Sequence, residues 1–584
     1  MRGLLALAAF QAASGAILWN SEVAGARQQA ALLTHVAAGL AALALLGPFL
    51  RSHLARVLPL PRPFQKASGL CAALLSSAAL ATGTALAAQA VAGWSAHPGV
   101  ATAHRWTGAG AGCLLAVHLW GAARSPAGRK ALAGAGLALA LPAAVWGLLG
   151  LAIAGSAARI EPSRRADPVG ARLSGSGEFF AVAPPTSASC GVKGCHDALY
   201  EQWLQSGHGQ ADRDPYFRAL EDRLAAGPDR ERASRCSECH DPGLLLTGPP
   251  RPGAQVAHTG EAVSCYLCHA MREAGNDGHR PYVVTPPTAS LQGDTALGRF
   301  LIRAWPAGHR RAYARTLYPR SRLCSACHLQ TVSETIAGFG LLWIDNPYRR
   351  WELSRVSPLC QDCHMPALAG PDGSNARSHR FAGSNLMPGA SPEHRRAVER
   401  LLAGEQELPA TDGRPGSGPL FALAAAPPRL QGHRVAIALS VASLNRIGHQ
   451  FPAGAQDLSR VWLEAEWSDA HGKLLGRWGE VTPGGPLLPG TPVFRRPVAG
   501  SQAPDRASTL ALLRPGEGCT VELIAELAPS AVPPAATRLR ASLCYRQLHA
   551  EALSRLAFSR DGQAALPLPP AHVLGRLDAA LQAP

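Results

Sequence analysis

Apolar positions are spread unevenly along the 584 residues. Five long apolar runs fill the first quarter: Leu4–Trp19, Leu32–Leu50, Gly69–Gly93, Thr107–Ala122 and Ala131–Gly155. Each is about long enough to span a bilayer, allowing for tilt. The pattern predicts an N-terminal α-helical bundle of about five membrane helices over residues 1–155. A Ser-, Pro-, Arg- and Gly-rich linker follows over 156–185, and 186–400 reads as mostly irregular and helical. A second linker covers 401–430. From Arg434 the texture changes to "RVAIALSVASL", "RVWLEAEWS", "TVELIAEL" and "RLRASLCYR", runs rich in strand formers between Gly/Pro stretches. They predict a β-sandwich of immunoglobulin type over 431–550, with 551–584 a helical or loose tail.

Charge orients the predicted helices. Arg51, Arg56, Arg62 and Lys66 fill one connecting loop, and Arg124, Arg129 and Lys130 another, whereas 20–29 and 94–103 carry little positive charge. The positive-inside rule puts the basic loops in the cytoplasm and everything after Gly155 outside, which in a bacterium is the periplasm. The expected location is a bacterial inner membrane, crossed several times. Arg2 before an apolar run and "AGA" at Ala24–Ala26 also fit a cleaved signal peptide, which would leave the other four helices unchanged. The formal net charge is +16. No basic run has the length or aromatic interleaving of a nucleic-acid site, so the expected partners exclude nucleic acid.

Histidines recur inside the apolar runs. His35 and His53 are five helical turns apart, and His104 and His118 nearly four, so each pair shares a helix face. The two helices cross in the same direction, which puts His35 level with His104 and His53 level with His118. Pro48 between His35 and His53 can shift that level. The bland reading is interfacial histidine, and it suits His53 beside Arg51. It does not suit His118 in "CLLAVHLW", where an intramembrane ionisable group reads as functional. Two same-level pairs suit two b-type haems. The pattern resembles membrane dihaem cytochromes b, helical bundles that handle quinols. His97 is a spare candidate, and Cys71 and Cys113 read as buried apolar side chains.

Of the 14 cysteines, ten form five pairs, each followed directly by histidine. Four pairs are CxxCH: Cys236/Cys239/His240, Cys265/Cys268/His269, Cys324/Cys327/His328 and Cys360/Cys363/His364. The fifth, Cys190/Cys195/His196 in "CGVKGCHD", has four residues between its cysteines. Two thiols bond the vinyl groups on one porphyrin edge and the adjacent imidazole binds iron, which explains the spacing. Zinc also takes CxxC pairs but does not require histidine after every second cysteine. The expectation is five covalently bound haem c groups, with the longer first loop bulging outward. Sixth ligands are available among His208, His258, His279, His309, His379, His394, His433 and His449. Cys519 and Cys544 would lie opposite each other, in disulfide position, if their strands formed a hairpin.

The stretches "CGVKGCHDALYEQWLQSGH", "CQDCHMP", "SHRFAGSN" and "NRIGHQFPAG" resemble the multihaem cytochromes c related to the tetrahaem cytochrome c of nitrifiers. Trp203, Ser206 and His208 match the family's Trp-x-x-Ser-x-His pattern, and Ala453 replaces its usual Thr. The resemblance covers about 186–550 and implies His208, His379 and His449 as distal ligands. The chain thus reads as a membrane cytochrome b/c. It passes electrons from the quinone/quinol pool through b haems to five c haems and on to a periplasmic acceptor cytochrome or reductase. That quinol dehydrogenase reading is weighed against two others: a terminal reductase of a small oxyanion or nitrogen compound at an open c haem, and a scaffold docking a cytochrome through the β region. A cytoplasmic-side quinone site near Arg51, Arg56 and Gln65 follows from the second b haem.

Overall fold

The structure is a computed structural model. It describes the chain apart from residues 1, 21–25, 60, 62, 95, 124–128, 130–170, 174–184, 227–235, 247–258 and 276–281. Residues 285–294, 314–315, 330–331, 337–339, 345, 370–374, 410–412, 455–457, 495–508, 511–512, 529–535, 558–565 and 583–584 are also outside it. The fifth expected membrane segment, Ala131–Gly155, therefore lies outside the described residues, as do His258 and His279.

Two compact units emerge. Unit 1 comprises Met1–Arg164, Phe180–Asp197 and Pro286–Ala314; unit 2 comprises Arg165–Phe179, Ala198–Thr285 and Arg315–Pro584.

Unit 1 opens with four helices: α1 (Arg2–Asn20), α2 (Ala26–Val57), α3 (Pro63–Val91) and α4 (Pro98–Ala123). Two of the described helices, over Gln29–Val57 and Pro63–Val91, are long and apolar enough to cross a membrane, and α1 contributes a shorter apolar stretch, Gly3–Trp19. Pro48 sits inside α2 without ending it. The helix α3 packs along α4, and α1 along α2. Large side chains such as Leu74, Phe64, Trp106 and Trp120 point outward. That inverts the usual burial order and suits lipid rather than water outside. Cys71 and Cys113, expected to be buried, are exposed on α3 and α4, because small residues fill the helix contact and push larger ones outward. Unit 1 also holds α5 (Ser187–Cys190), α9 (Ala296–Ala304) and α10 (Pro306–Tyr313). α9 packs against α3 and α2.

The second stretch of unit 2 starts inside α6 (Asp197–Leu204) and continues with α7 (Pro215–Ala226). Short helices carry the haem motifs: residues 236–240, α8 (Cys265–Ala270), α11 (Ser325–His328) and α12 (Cys360–His364). Ser264 caps α8 by accepting from the Leu267 N–H at 3.1 Å. α13 (Pro392–Ala403) starts under a Ser391 cap and ends at Gly404, whose φ of 72° fits the left-handed turn there.

The C-terminal region forms two sheets. One holds β1 (Phe421–Ala425), β2 (Arg429–Gln431), β3 (Arg434–Ser443) and β8 (Gly518–Glu526), with β3 between β1 and β8. The other holds β4 (Arg460–Asp469), β5 (Leu474–Trp478), β6 (Val493–Phe494), β7 (Thr509–Leu510), β9 (Ala536–Arg546) and β10 (His572–Gln582). Their inward faces share one core, with Ile437, Leu439, Leu463, Trp467, Leu523, Leu539 and Leu543 among its members. Two expectations are corrected. The segment read as a helical or loose tail contributes α14 (Ala550–Ala557) and then β10, which pairs with β9 along its length. Cys519 on β8 faces Val441, whereas Cys544 on β9 faces Trp462 in the other sheet. The two strands do not form a hairpin, and both thiols are free.

Candidate haem sites

Each CxxCH helix is buried on one side and open on the other. Ser237, Glu238, Tyr266, Leu267, Ser325, Ala326 and Gln361, which sit between the cysteines, are buried. The flanking cysteines are all partly accessible. One helical turn brings the two thiols and the histidine to the same face, and the intervening pair anchors the other face in the protein. Gln361 donates to the Tyr318 and Arg320 carbonyls at 2.8 Å each, and Ser325 to the Gly275 carbonyl at 3.1 Å. In the first motif, α5 ends at Cys190 and a turn covers 191–196, closed by the Cys195 N–H on the Val192 carbonyl at 2.9 Å. Gly194 there has φ 77°.

Among the described residues, histidines meet in six facing pairs. In unit 1 the ring centroids of His35 and His104 are 6.1 Å apart, those of His53 and His118 6.4 Å, and those of His196 and His309 6.2 Å. In unit 2 His208 and His328 are 6.2 Å apart, His269 and His379 6.3 Å, and His364 and His449 6.3 Å. Two imidazoles on opposite sides of one metal, each about 2.0 Å from it, hold their centroids roughly 6 Å apart. The donor chemistry fits the same group. Desolvation pushes His208 down to about 3 and His328 to about 4, and His309 falls to about 4 through burial and then His196, so these rings are neutral at pH 7.

Outer contacts orient the rings. A carbonyl can only accept, so the Nδ1–H of His364 donates to Ala382 at 2.7 Å, that of His379 to Arg377 at 2.9 Å, and that of His449 to Gln450 at 3.0 Å. His240 does the same to Ala211 at 3.2 Å. In each ring Nε2 is left for a metal. The histidines of α2 and α4 are held differently. His104 Nδ1 donates to the Ala79 carbonyl at 3.0 Å and lies 3.3 Å from the Thr82 hydroxyl. His118 Nδ1 lies 3.4 Å from Ser68, and His35 Nδ1 2.8 Å from Ser14. A glycine follows each of Ser14, Ser68 and Thr82, and Gly69 and Gly83 make room for the ring. A Cβ on Gly83 would lie 2.9 Å from His104, one on Gly69 2.7 Å from His118, and one on Gly15 3.5 Å from His35. The signal was present in the sequence. Ser68-Gly69 and Thr82-Gly83 recur at the spacing that separates His104 from His118 on the antiparallel neighbour.

The histidines not paired are also informative. His240 lies flat against Phe217, with centroids 3.8 Å apart and planes 3° from parallel, and among the described residues no histidine ring faces it. His394 is buried on α13 with Nδ1 unpaired. His97 caps α4, its Nδ1 accepting from Gly99 at 3.2 Å. The resemblance to nitrifier cytochromes did not include His309, which faces His196. The Trp203/Ser206/His208 pattern has a local explanation. Trp203 Nε1 donates to the Val263 carbonyl at 2.8 Å, Ser206 donates to the Trp203 carbonyl at 2.7 Å, and the Val263 N–H returns to the His208 carbonyl at 3.1 Å. This ties the segment after the first motif to the segment before the third. His449 lies in the loop between β3 and β4, so the sheet region supplies the partner of His364. Between motifs, Cys324 lies beside Cys360 and Cys327 beside Cys239. The second, fourth and fifth motifs thus meet at their sulfur edges.

Residues 190–270 match the family model "Cytochrome c554 and c-prime", a span that contains the first three motifs. No curated protein matches the chain. Among solved structures, the penta-heme cytochrome c552 from Thermochromatium tepidum is similar, with 16% identity over 68% of this chain and 98% of that one and a TM-score of 0.42. The family match, on top of the motifs, supports a multihaem cytochrome c with covalently bound haem and an electron-transfer role.

Proposed function

We propose that the chain is a membrane-bound cytochrome b/c that takes electrons from quinol in the bilayer and delivers them, through two b haems and five c haems, to a periplasmic acceptor. One observation carries this reading. Six histidine pairs share a separation of 6.1–6.4 Å, and two of them lie between the apolar helices α2 and α4. Bound haem iron supplies one-electron redox chemistry. The chain's contribution is to fix the imidazoles. His35 and His104 would hold one b haem, and His53 and His118 the other. The c haems would be bonded by the ten motif cysteines and held by His196 with His309, His269 with His379, His328 with His208, and His364 with His449. His240 would hold the remaining one. Multi-pass insertion with the basic Arg51–Lys66 loop in the cytoplasm places the motif region in the periplasm. The quinone site is proposed on the His53/His118 side, near Arg51, Arg56 and Gln65. A pyridine haemochrome spectrum of the purified protein tests the count: two b and five c are expected, and absence of the b band sinks the quinol route. A His53→Ala variant that reduced its c haems with quinol at the full rate would remove the need for the second b haem.

That no histidine ring faces His240 among the described residues favours one second reading, a reductase acting at that motif's iron. A high-spin ferric signal lost in Cys236→Ala would support it, and wholly low-spin iron would count against it.

A further inference from the structure

The first motif has two more residues between its cysteines than the other four, and the structure gives them a use unrelated to haem attachment. The helix α9 carries Arg303 into a gap between two backbone turns of unit 1. On one side is the end of α3, where Gly93 has φ 94° and a Cβ would lie 3.7 Å from the Arg303 guanidinium. On the other is the loop Gly191–Gly194. There the guanidinium donates to the Lys193 carbonyl at 3.2 Å and lies 3.9 Å from Cys195 Sγ. The two turns also touch each other, since a Cβ on Gly194 would lie 3.4 Å from the Gly93 carbonyl oxygen. The Arg303 carbonyl in turn accepts from the Ala96 N–H at 3.1 Å, just before α4. One residue therefore grips both the extra loop and the α3–α4 connection. The following helix, α10, brings His309 opposite His196. The end of the bundle involved is the one that holds His35 and His104. Lys193 contributes its backbone carbonyl, and Gly194 takes a φ of 77° that glycine adopts freely.

We infer that Val192 and Lys193, together with Arg303, fasten the first haem motif to the His35/His104 end of the membrane helices. Arg303 is a positioning residue for electron transfer from the membrane part to the motif region. The transfer part rests on the b/c reading above; the fastening does not.

The test uses full-length protein in nanodiscs. Deleting Val192 and Lys193 leaves two glycines between the cysteines, the spacing that haem attachment normally meets. Three quantities are read: c-haem content, hydrogen exchange over 92–97, and c-haem reduction by duroquinol compared with dithionite. Unchanged c content is expected, with exchange at least about tenfold faster as the local contact opens. Duroquinol reduction should slow at least about tenfold through misplacement, and dithionite reduction should stay the same. Arg303→Gln should move both readouts the same way, and Arg303→Lys should restore part of each. Unchanged exchange in the deletion and Arg303→Gln variants overturns the fastening. Faster exchange with wild-type duroquinol kinetics overturns the positioning role. Loss of the first c haem on deletion would show the extra residues serving attachment instead, and would also overturn the inference. If wild-type protein shows no b haem, the b/c reading and the transfer role fall together, while exchange still decides the fastening.

Discussion

The histidine pairs between α2 and α4 and those of the motif region have nearly the same separation but are built differently. In the motif region, cysteine pairs would hold the porphyrin edge, and backbone carbonyls of Ala382, Arg377 and Gln450 orient the rings. Among the described residues of α1, α2, α3 and α4, no cysteine pair stands beside the facing histidines. A helix interior has few unpaired carbonyls, so side-chain hydroxyls of Ser14, Ser68 and Thr82 stand beside the rings, with the Ala79 carbonyl also accepting from His104, and Gly69 and Gly83 leave room for the His118 and His104 rings. A covalent bond tolerates a loose protein environment. A cofactor held by ligation alone requires packing to do the positioning.

The contrast can be broken most severely at the fourth motif. Its thiols touch those of the second and fifth, so Cys324→Ala with Cys327→Ala should lower the c content by two haems or more. A drop of one in the haemochrome spectrum would show that the motifs are independent. Next, Gly83→Val should remove one b haem as fully as His104→Ala does, halving the b band, because the added carbons overlap the ring. The same change at Gly191 should leave the c count intact. Milder still, Thr82→Ala or Ser14→Ala should keep both b haems but speed their loss to apomyoglobin about 10–100-fold, the usual size of an outer-contact effect. The smallest effect involves pH. Burial raises Glu221 on α7 to about 7, despite its 3.2 Å bond to Arg218. The native state then binds more protons than the unfolded chain between the two pKa values, so stability is full at low pH and falls as pH rises toward 7. Glu221→Gln should remove roughly 1–3 kcal/mol of that fall. Melting the motif region at pH 5 and pH 8 would show it, and an unchanged gap between the two would refute it.

The sequence revealed what is local and repetitive. CxxCH was legible because the chemistry fixes five consecutive positions. His35, His53, His104 and His118 were legible because helical periodicity fixes their faces. The orienting dipeptides were legible in principle, but only once α3 was known to run antiparallel to α4. His309 carries no local mark, since its relation to His196 exists only after the chain folds back. The C-terminal strand β10 was missed because Gly575, Arg576 and Asp578 interrupt its apolar pattern, and long pairing with β9 overrides that. The disulfide left open at Cys519 and Cys544 is decided by the fold, which places two successive strands in separate sheets.

The order of the facing histidines along the chain has a further consequence. His196 closes with His309, His208 with His328, His269 with His379, and His364 with His449. Every bracket opens before the previous one has shut, so the four closures interlock like links rather than sitting side by side. Each restrains a loop of about a hundred residues, for which closure entropy is large. Three of the four also have the non-motif histidine downstream, so a nascent chain emerging N-terminus first presents those motifs before their partners exist. The region should therefore acquire its final form late and all at once, and a premature stop near Ser443 should unsettle motifs far upstream of the break.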